Sequence, residues 1–303
     1  MSVQVAYATI IIIWSTTPLA ISWSNETLSP IAAVSIRMGA AAIIGTIILK
    51  LLHVSISWEK KAIRTYAFSL IGIYGGMFLT YMAAHYIPSW LISVIFALSP
   101  VLTNLLSYRF FGQGDFTYLR LIAFSISFSG LIIICIDDWV IHEQGWIGVI
   151  LLLVAVLLFS LSGVLVQKEN YQAHPLSITV GTLIMSVPFF LLSWVLLDGQ
   201  LPHFDWHSMS PWAVLYLSTF GSLLGFASYF YLVRHSGATA VAMVTLMTPV
   251  IALFLGNTLN HENLSPRIMV GTGFVLLGLT IYYNNGKGDI LKRFPFPKVF
   301  KKG

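Results

Sequence analysis

A single charged side chain stands well inside an apolar stretch of this sequence. Arg37 lies about seven residues, or roughly 10 Å at helical rise, from one end of the stretch 30–52. An Arg at the centre of a membrane helix costs about 3 kcal/mol on insertion scales, so its guanidinium must face protein or water. It could attract a substrate carboxylate or another anion, or it could tie its helix to the backbone carbonyls of a broken neighbouring helix. Both interpretations stay open from the sequence.

Aromatic, thioether and hydroxyl side chains surround two prolines in the apolar stretches. Tyr74, Met77 and Tyr81 recur at helical spacings that place them on one face. Such a mixture predicts a mostly apolar pocket with a few hydroxyls, which suits an amino acid or a related amphiphile. Helix packing or lipid contact is the alternative for each residue. The candidate pocket residues are Trp14, Ser15, Thr17, Arg37, Tyr74, Met77, Tyr81, Ser93, Phe96, Ser99, Ser160, Ser162, Phe226, Tyr229, Met243, Thr245 and Met247.

The two prolines, Pro100 and Pro249, fall near the middle of their apolar stretches. Each removes one backbone hydrogen bond, and such a break is tolerated in a membrane where neighbours or cavity water satisfy the backbone. We therefore expect symmetric hinges beside the pocket. Simple packing kinks are the alternative.

Other polar groupings in the sequence favour neither catalysis nor a bound cofactor. His203, Asp205 and His207 have a spacing that a metal could use, but they fall in a loop between apolar stretches. Asp137 and Asp138 are adjacent and point in different directions, so they are not an acid/base pair. A glycine-rich phosphate loop with its Lys is missing from the sequence. We expect no catalytic residue, no metal and no cofactor, and an integral-membrane enzyme would need more polar residues in its spans.

The helices that must position these residues follow from composition. With 57% hydrophobic and 9% charged residues, the chain belongs in a bilayer. A spanning helix needs about 20 mostly apolar residues. Runs of that kind predict an all-α integral membrane protein with ten transmembrane helices: 3–22, 30–52, 65–84, 88–109, 116–136, 146–166, 175–197, 211–233, 238–259 and 265–284.

The positive-inside rule orients these helices. With the N-terminus in the cytoplasm, only Arg267 of the 16 Lys and Arg lies on the outer side, and only Arg37 lies within a span. Both termini are therefore predicted to be cytoplasmic. The segment 285–303 reads as a basic cytoplasmic tail, and because no folded basic face accompanies it, we expect no nucleic-acid partner.

A weak internal repeat relates the two halves of the chain. An offset of 149 residues superposes Gly72 on Gly221, Pro100 on Pro249 and other matching positions. The Gly72 to Gly76 spacing recurs too and predicts close helix contact. Because each half holds five spans, an odd number, the second half must enter the membrane inverted. The predicted units are 1–137 and 146–284, joined by an outer linker loop at 138–145.

These features together resemble a known family. The ten spans, the first-helix segment 14–18 (Trp-Ser-Thr-Thr-Pro), Arg37 and the paired prolines resemble the drug/metabolite transporter superfamily, in its EamA-type branch, over about residues 5–284. The resemblance implies a bacterial inner-membrane carrier, usually an exporter, with a cavity lined by helices 1, 3, 4, 6, 8 and 9. Each half in that family commonly ends its fourth helix in Gly-Glu, whereas this chain has Gly112-Gln113 and His261-Glu262.

The expected function is export of a small metabolite by alternating access between the two halves. Efflux of drugs or toxic compounds, and a lipid- or partner-binding scaffold, are the alternatives. Small multidrug-resistance relatives exchange protons on a Glu in their first helix, but no Asp or Glu falls within the ten predicted spans here. Proton-coupled export of organic cations is therefore disfavoured. Since one chain carries both halves, we expect a functional monomer whose partners are the lipid bilayer and its substrate.

Overall fold

A computed structural model describes residues 2–112, 118–141, 144–262 and 264–284. All regular structure within these ranges is helical. We number the helices α1 to α10 in chain order, taking each interrupted segment as one. They are α1 Val3–Ser24, α2 Pro30–Leu51, α3 Lys60–Ala83, α4 Ser89–Phe111, α5 Tyr118–Ile141, α6 Gly145–Glu169, α7 Pro175–Leu197, α8 Ser210–Ser236, α9 (Ala238–Ala242, Met243–Leu246 and Thr248–Asn260) and α10 Pro266–Asn284. The predicted tail at 285–303 lies outside the described residues.

Proline and short hydroxyl residues set several helix starts. The Ser29 hydroxyl accepts a hydrogen bond from the Ala32 N–H, and Pro30 follows it in the first turn of α2. Pro175 and Pro211 occupy the first turns of α7 and α8 in the same way. A first-turn proline loses no helical hydrogen bond, because that N–H has no partner within the helix. These starts are therefore readable from the sequence.

Among the described residues, seven helices have the length and hydropathy of membrane spans: α1 to α4 and α6 to α8. Shorter apolar stretches, Ile122–Ile134 and Pro266–Ile281, occur within α5 and α10. Large apolar side chains such as Ile43 and Leu196 are 66% and 71% exposed on the outside of the bundle. A protein in water rarely exposes so much apolar surface, whereas lipid tails cover it without cost. The chain is thus a multi-pass membrane protein.

Helices α4 and α9 are interrupted immediately before their prolines. In α4 the helix stops at Phe96 and a new segment begins at Ser99, and in α9 a tight 3₁₀ turn precedes the segment that begins at Thr248. Each proline therefore lies in the first turn of a new helical segment rather than within a continuous helix. The Thr245 carbonyl, which Pro249 has no N–H to satisfy, accepts a hydrogen bond from the Thr248 hydroxyl at 3.2 Å.

These boundaries recur at the sequence offset of 149 residues. The segments Ser99–Phe111 and Thr248–Asn260 correspond residue for residue, and Gly112 and His261 both end them in the left-handed conformation, with φ of 62° and 51°. Helices α3 and α8 each contain a π-helical turn, at Ile71–Gly76 and Leu217–Leu224. The breaks in the two halves thus fall at or near positions that the 149-residue offset relates.

Close packing of α3 on α6 depends on Gly72. A Cβ at that position would lie 2.9 Å from Cβ of Ser162, so only glycine allows this approach without displacement. The close contact predicted for the glycine pair is present at this residue. It fixes α3, and with it Met77, against the helix that carries Phe159.

The helix ends sort into two layers. At one end, Arg64 pairs with Glu169 at 3.0 Å, joining α3 to α6. At the opposite end, the Ser89 N–H and hydroxyl donate to the Glu262 carboxylate at 3.1 and 3.0 Å, joining α4 to the segment after α9. The membrane-embedded part of the bundle, with its cavity, lies between these layers.

Candidate substrate cavity

A cavity lies between the two layers of helix ends. It has a volume of about 60 Å³. Because one water needs about 10–15 Å³ by this measure, the space holds a few waters or a small solute. We call it the main cavity because both halves of the chain line it; a larger space, of about 610 Å³, lies between α2 and α7. The residues that line the main cavity are Trp14, Thr17, Pro18, Ile21, Arg37, Met77, Thr80, Ile92, Ser93, Phe96, Phe159, Gly221, Phe226, Thr245 and Thr248.

Seven helices contribute to the main cavity. Six of them, α1, α3, α4, α6, α8 and α9, are those that the family resemblance implies, and both halves of the chain supply them. The seventh is α2, which reaches the cavity through Arg37 alone. A helix that the resemblance would leave at the periphery therefore supplies the cavity's one charged side chain among the described residues.

A smaller side cavity of about 10 Å³ lies next to the main one and shares Trp14 and Phe159 with it. Its lining residues are Trp14, Ser99, Thr103, Phe159, Ser160, Gly163, Tyr229, Ala238 and Ala242. Three rings separate the spaces: Trp14 lies 5.7 Å from Phe159 and 5.9 Å from Tyr229, and Phe159 lies 5.1 Å from Tyr229, centroid to centroid. Pairs at these separations attract one another, so the partition is itself a packed unit.

Arg37 is 1% exposed and is held by uncharged groups. Its Nε donates to the Ser222 hydroxyl at 2.9 Å and its Nη1 donates to the Tyr81 hydroxyl at 3.3 Å. The guanidinium also lies 5.8 Å from the centroid of the Tyr81 ring, within cation–π range. Ser222 belongs to the π-helical turn of α8, and such turns often mark functional sites.

Arg37 makes no ion pair with any acidic side chain in the part of the chain that the structure describes. Neutral hydroxyls satisfy two of its five N–H donors but do not neutralise its charge. An uncompensated charge in a low-dielectric interior attracts an anion strongly. The main cavity therefore carries a positive potential at the Arg37 side.

Hydroxyl groups complete the polar part of both cavities. Ser93 and Ser160 are 2% and 3% exposed, and their hydroxyls have no hydrogen-bond partner among the described residues. The hydroxyl oxygens of Ser99 and Thr245 lie 3.1 Å apart, and their hydrogen bond links the interruptions of α4 and α9. Since Thr245 donates to the Ala242 carbonyl at 2.7 Å, Ser99 is the donor in that link. A buried hydroxyl without a partner is costly, so Ser93 and Ser160 are poised to bind water or solute.

Of the residues predicted for the pocket, eight line the main cavity: Trp14, Thr17, Arg37, Met77, Ser93, Phe96, Phe226 and Thr245. Three line the side cavity: Ser99, Ser160 and Tyr229. Tyr81 accepts a hydrogen bond from Arg37 and lines neither cavity. The side chain of Met243 lies outside the described residues.

Four predicted pocket residues lie elsewhere. The Tyr74 hydroxyl forms a hydrogen bond with the Ser193 hydroxyl of α7 at 2.7 Å. The π-helical turn at Ile71–Gly76 changes the helical period, so the Tyr74 side chain is rotated away from the helix face that carries Met77. The other three are placed by local contacts: Ser15 donates to the Ile11 carbonyl at 2.7 Å, Ser162 donates to the Ser69 carbonyl at 3.5 Å across the α3–α6 contact, and Met247 is 56% exposed.

Several lining residues carried no sequence signal. Phe159 stands at the junction of both cavities, but nothing distinguishes it from the other apolar residues of α6. Ile92 and Thr80 are equally ordinary members of their helices. Thr248 could have been found, because the repeat places it opposite Ser99 and next to Pro249.

The other groupings considered from the sequence do not form sites in the described ranges. No cluster of three or more potential metal ligands occurs there. Asp205 accepts a hydrogen bond from the His207 N–H at 3.0 Å, an ordinary turn contact in the loop before α8. The side chains of Asp137 and Asp138 lie outside the described residues.

The fold and cavity define a helical membrane transporter, and comparisons with known proteins agree. The EamA-like transporter family matches this chain twice, over residues 3–136 and 146–284. The chain therefore belongs to the EamA-like transporter family, within the drug/metabolite transporter superfamily.

Two relatives that match most of this chain are described only as transporters. An uncharacterized transporter of Archaeoglobus fulgidus is 25% identical over 285 residues, which cover 93% of this chain and 98% of the relative. The uncharacterized inner membrane transporter YedA of Escherichia coli is 24% identical and covers 89% of this chain and 87% of its own length. One solved crystal structure, 14% identical, superposes with a TM-score of 0.69 over 92% of this chain and 96% of that one, which shows the fold alone.

Proposed function

We propose that this protein is a secondary transporter that exports small metabolites, namely amino acids or related amphiphiles, by alternating access between two inverted five-helix halves. One observation carries the proposal: a buried cavity is lined by both halves at the level where α4 and α9 are interrupted. Binding sites of transporters with inverted repeats lie at the repeat interface and are formed by broken helices of this kind.

The proposed topology has all of α1 to α10 crossing the bilayer, with both termini in the cytoplasm of a bacterial inner membrane. The layer that contains Arg64 and Arg234 is then cytoplasmic, and the layer that contains Glu262 and Asp198 is external. This assignment satisfies the positive-inside rule. It also turns the two interrupted helices in opposite directions, α4 running inward and α9 outward.

In the proposed cycle, the two halves rock about the cavity, and Pro100 and Pro249 act as hinges. The interruptions already lack continuous helical hydrogen bonds, so bending there costs less than in an intact helix. The Ser99 to Thr245 contact couples the two hinges. Trp14, Phe159 and Tyr229 separate the main cavity from the side cavity, which lies toward the cytoplasmic ends of α6 and α8 in this topology. Movement of these rings would open a route between the cavities.

A single chain supplies both halves of the proposed pathway, so the functional unit is a monomer in the bilayer. Co-reconstitution of wild-type chain with an excess of inactive chain tests this point. Activity of the wild-type fraction should be unchanged if each chain works alone. A loss that grows faster than dilution would show a pathway shared between chains.

The test of the proposed function is flux in proteoliposomes of purified protein, with a panel of labelled amino acids and with and without a pH gradient. Trp14→Ala should lower saturable flux, because Trp14 borders both cavities. Trp206→Ala is the matched control, since that side chain is 65% exposed in a loop. Saturable flux that Trp14→Ala leaves intact would contradict a pathway through the cavity. Absence of saturable flux for the whole panel would contradict the amino-acid assignment.

A further inference from the structure

The main cavity combines one uncompensated cation with an otherwise neutral wall. Arg37 uses two N–H groups on Ser222 and Tyr81, and its remaining donors form no hydrogen bond with the described part of the chain. No acidic side chain is among the described residues that line either cavity. The cavity thus offers a counter-ion for a carboxylate but none for an ammonium group.

The neighbours of Arg37 hold its guanidinium at the cavity surface. A Cβ at Gly221 would lie 3.0 Å from Nη2 of Arg37, so glycine at this position lets the guanidinium lie against the backbone of α8. Ser222 fixes Nε from the same π-helical turn. With Nε on Ser222 and one N–H of Nη1 on Tyr81, the N–H groups that are left are one on Nη1 and two on Nη2. N–H groups on these two neighbouring nitrogens form the fork that binds a carboxylate through two hydrogen bonds.

The rest of the wall suits an uncharged, mostly apolar body. Met77, Ile92, Phe96 and Phe226 supply apolar contact, and the unpartnered Ser93 hydroxyl offers one polar contact. The cavity volume of about 60 Å³ fits a compact solute. Small branched aliphatic acids have this combination of one charged end and a short apolar body.

We infer that the substrate is recognised as a monoanion by its carboxylate, with Arg37 as the binding residue, and that an amino group is not required. This inference rests on the proposed function and narrows it: the des-amino acid of a given shape binds at least as well as the corresponding amino acid. Gly221 and Ser222 act as positioning residues that aim the guanidinium.

The experiment measures binding of three probes of one shape to the purified full-length protein by calorimetry: 4-methylpentanoate, 4-methylpentanamide and 4-methylpentylamine, with leucine as a fourth ligand. The acid should bind at least about tenfold more tightly than the amide or the amine, since hydrogen bonds to charged groups are worth more than neutral ones. Leucine should bind no more tightly than the acid. The Arg37→Gln variant should bind the acid no more tightly than the amide. The Arg37→Lys variant should keep part of the higher affinity for the acid.

Substitutions at two glycines distinguish a loss of guanidinium positioning from a general loss of structure. Gly221→Ala pushes on the guanidinium and should weaken binding of the acid more than binding of the amide. Gly39→Ala, on the same helix as Arg37, meets nothing within 4 Å and is the control that should bind like wild type. Equal binding of the three probes, failure of wild type to bind the acid, or an acid preference that survives in Arg37→Gln would overturn the inference. Saturable transport of the amine would also overturn the inference, but it would still support the proposed transporter function.

Discussion

In the proposed topology, Glu262 is expected to hold the outer side of the cavity closed. Its carboxylate accepts the Ser89 N–H at 3.1 Å, the Ser89 hydroxyl at 3.0 Å and the Asn260 side-chain amide at 2.8 Å. Asn260 in turn accepts a hydrogen bond from the Trp23 indole at 3.0 Å. These contacts join the end of α1, the start of α4 and the end of α9, three helices that line the cavity.

The size of the effect follows from these contacts. Glu262→Gln keeps the shape but replaces one accepting oxygen with an amide that cannot accept, and it removes the negative charge from the N-terminus of α4. A hydrogen bond to a charged group is worth about 1.5–3 kcal/mol, so the closed outer side should lose about 2 kcal/mol. A state that needs this contact broken should then gain roughly thirtyfold in relative population.

The assay is the rate at which a membrane-impermeant thiol reagent, added outside intact cells, labels Thr248→Cys in the main cavity. The only cysteine of the chain, Cys135, is first replaced by Ser. Labelling should accelerate in Glu262→Gln. Glu169→Gln, which removes the ion pair with Arg64 at the opposite helix ends, is the matched control and should not accelerate it. An unchanged or slower rate in folded Glu262→Gln protein would refute this role for the carboxylate.

Two further changes test the packing that positions the cavity. Gly72→Ala places a Cβ 2.9 Å from Cβ of Ser162 and should destabilise the protein by about 1–3 kcal/mol, which lowers its melting temperature. The double variant Gly72→Ala, Ser162→Gly should recover the wild-type melting temperature, and no recovery would show another cause. Tyr74→Phe removes the hydrogen bond to Ser193 and should cost about 1 kcal/mol of stability without changing the substrate affinity. A changed affinity would return Tyr74 to the binding site.

The helices were predictable because lipid imposes a simple constraint on sequence. Apolar runs near 20 residues long, ended by prolines or charged loops, mark spans such as α2 and α7 within a few residues. The interruptions of α4 and α9 were predictable from Pro100 and Pro249, since no continuous helix accommodates them without loss. Their position in the first turn of a new segment depends on the residues before them and was not predicted.

The candidate site was predictable only where local pattern decides orientation. Trp14, Thr17 and Phe96 reach the cavity as expected. Tyr74 does not, because an α-helical period was assumed where α3 forms a π-helical turn. The contact of Arg37 with Ser222, 185 residues away, depends on the packing of α2 on α8, and no single-sequence pattern encodes it.

Alternating access is the central claim, and cysteine accessibility from both sides of the membrane tests it most directly. Ser99→Cys and Thr248→Cys, each without Cys135, would be labelled in proteoliposomes by an impermeant thiol reagent placed first outside and then inside. The account predicts that both positions react from either side, and that a transported solute raises the rate on one side while lowering it on the other. Access from one side only, unaffected by any transported solute, would contradict the claim.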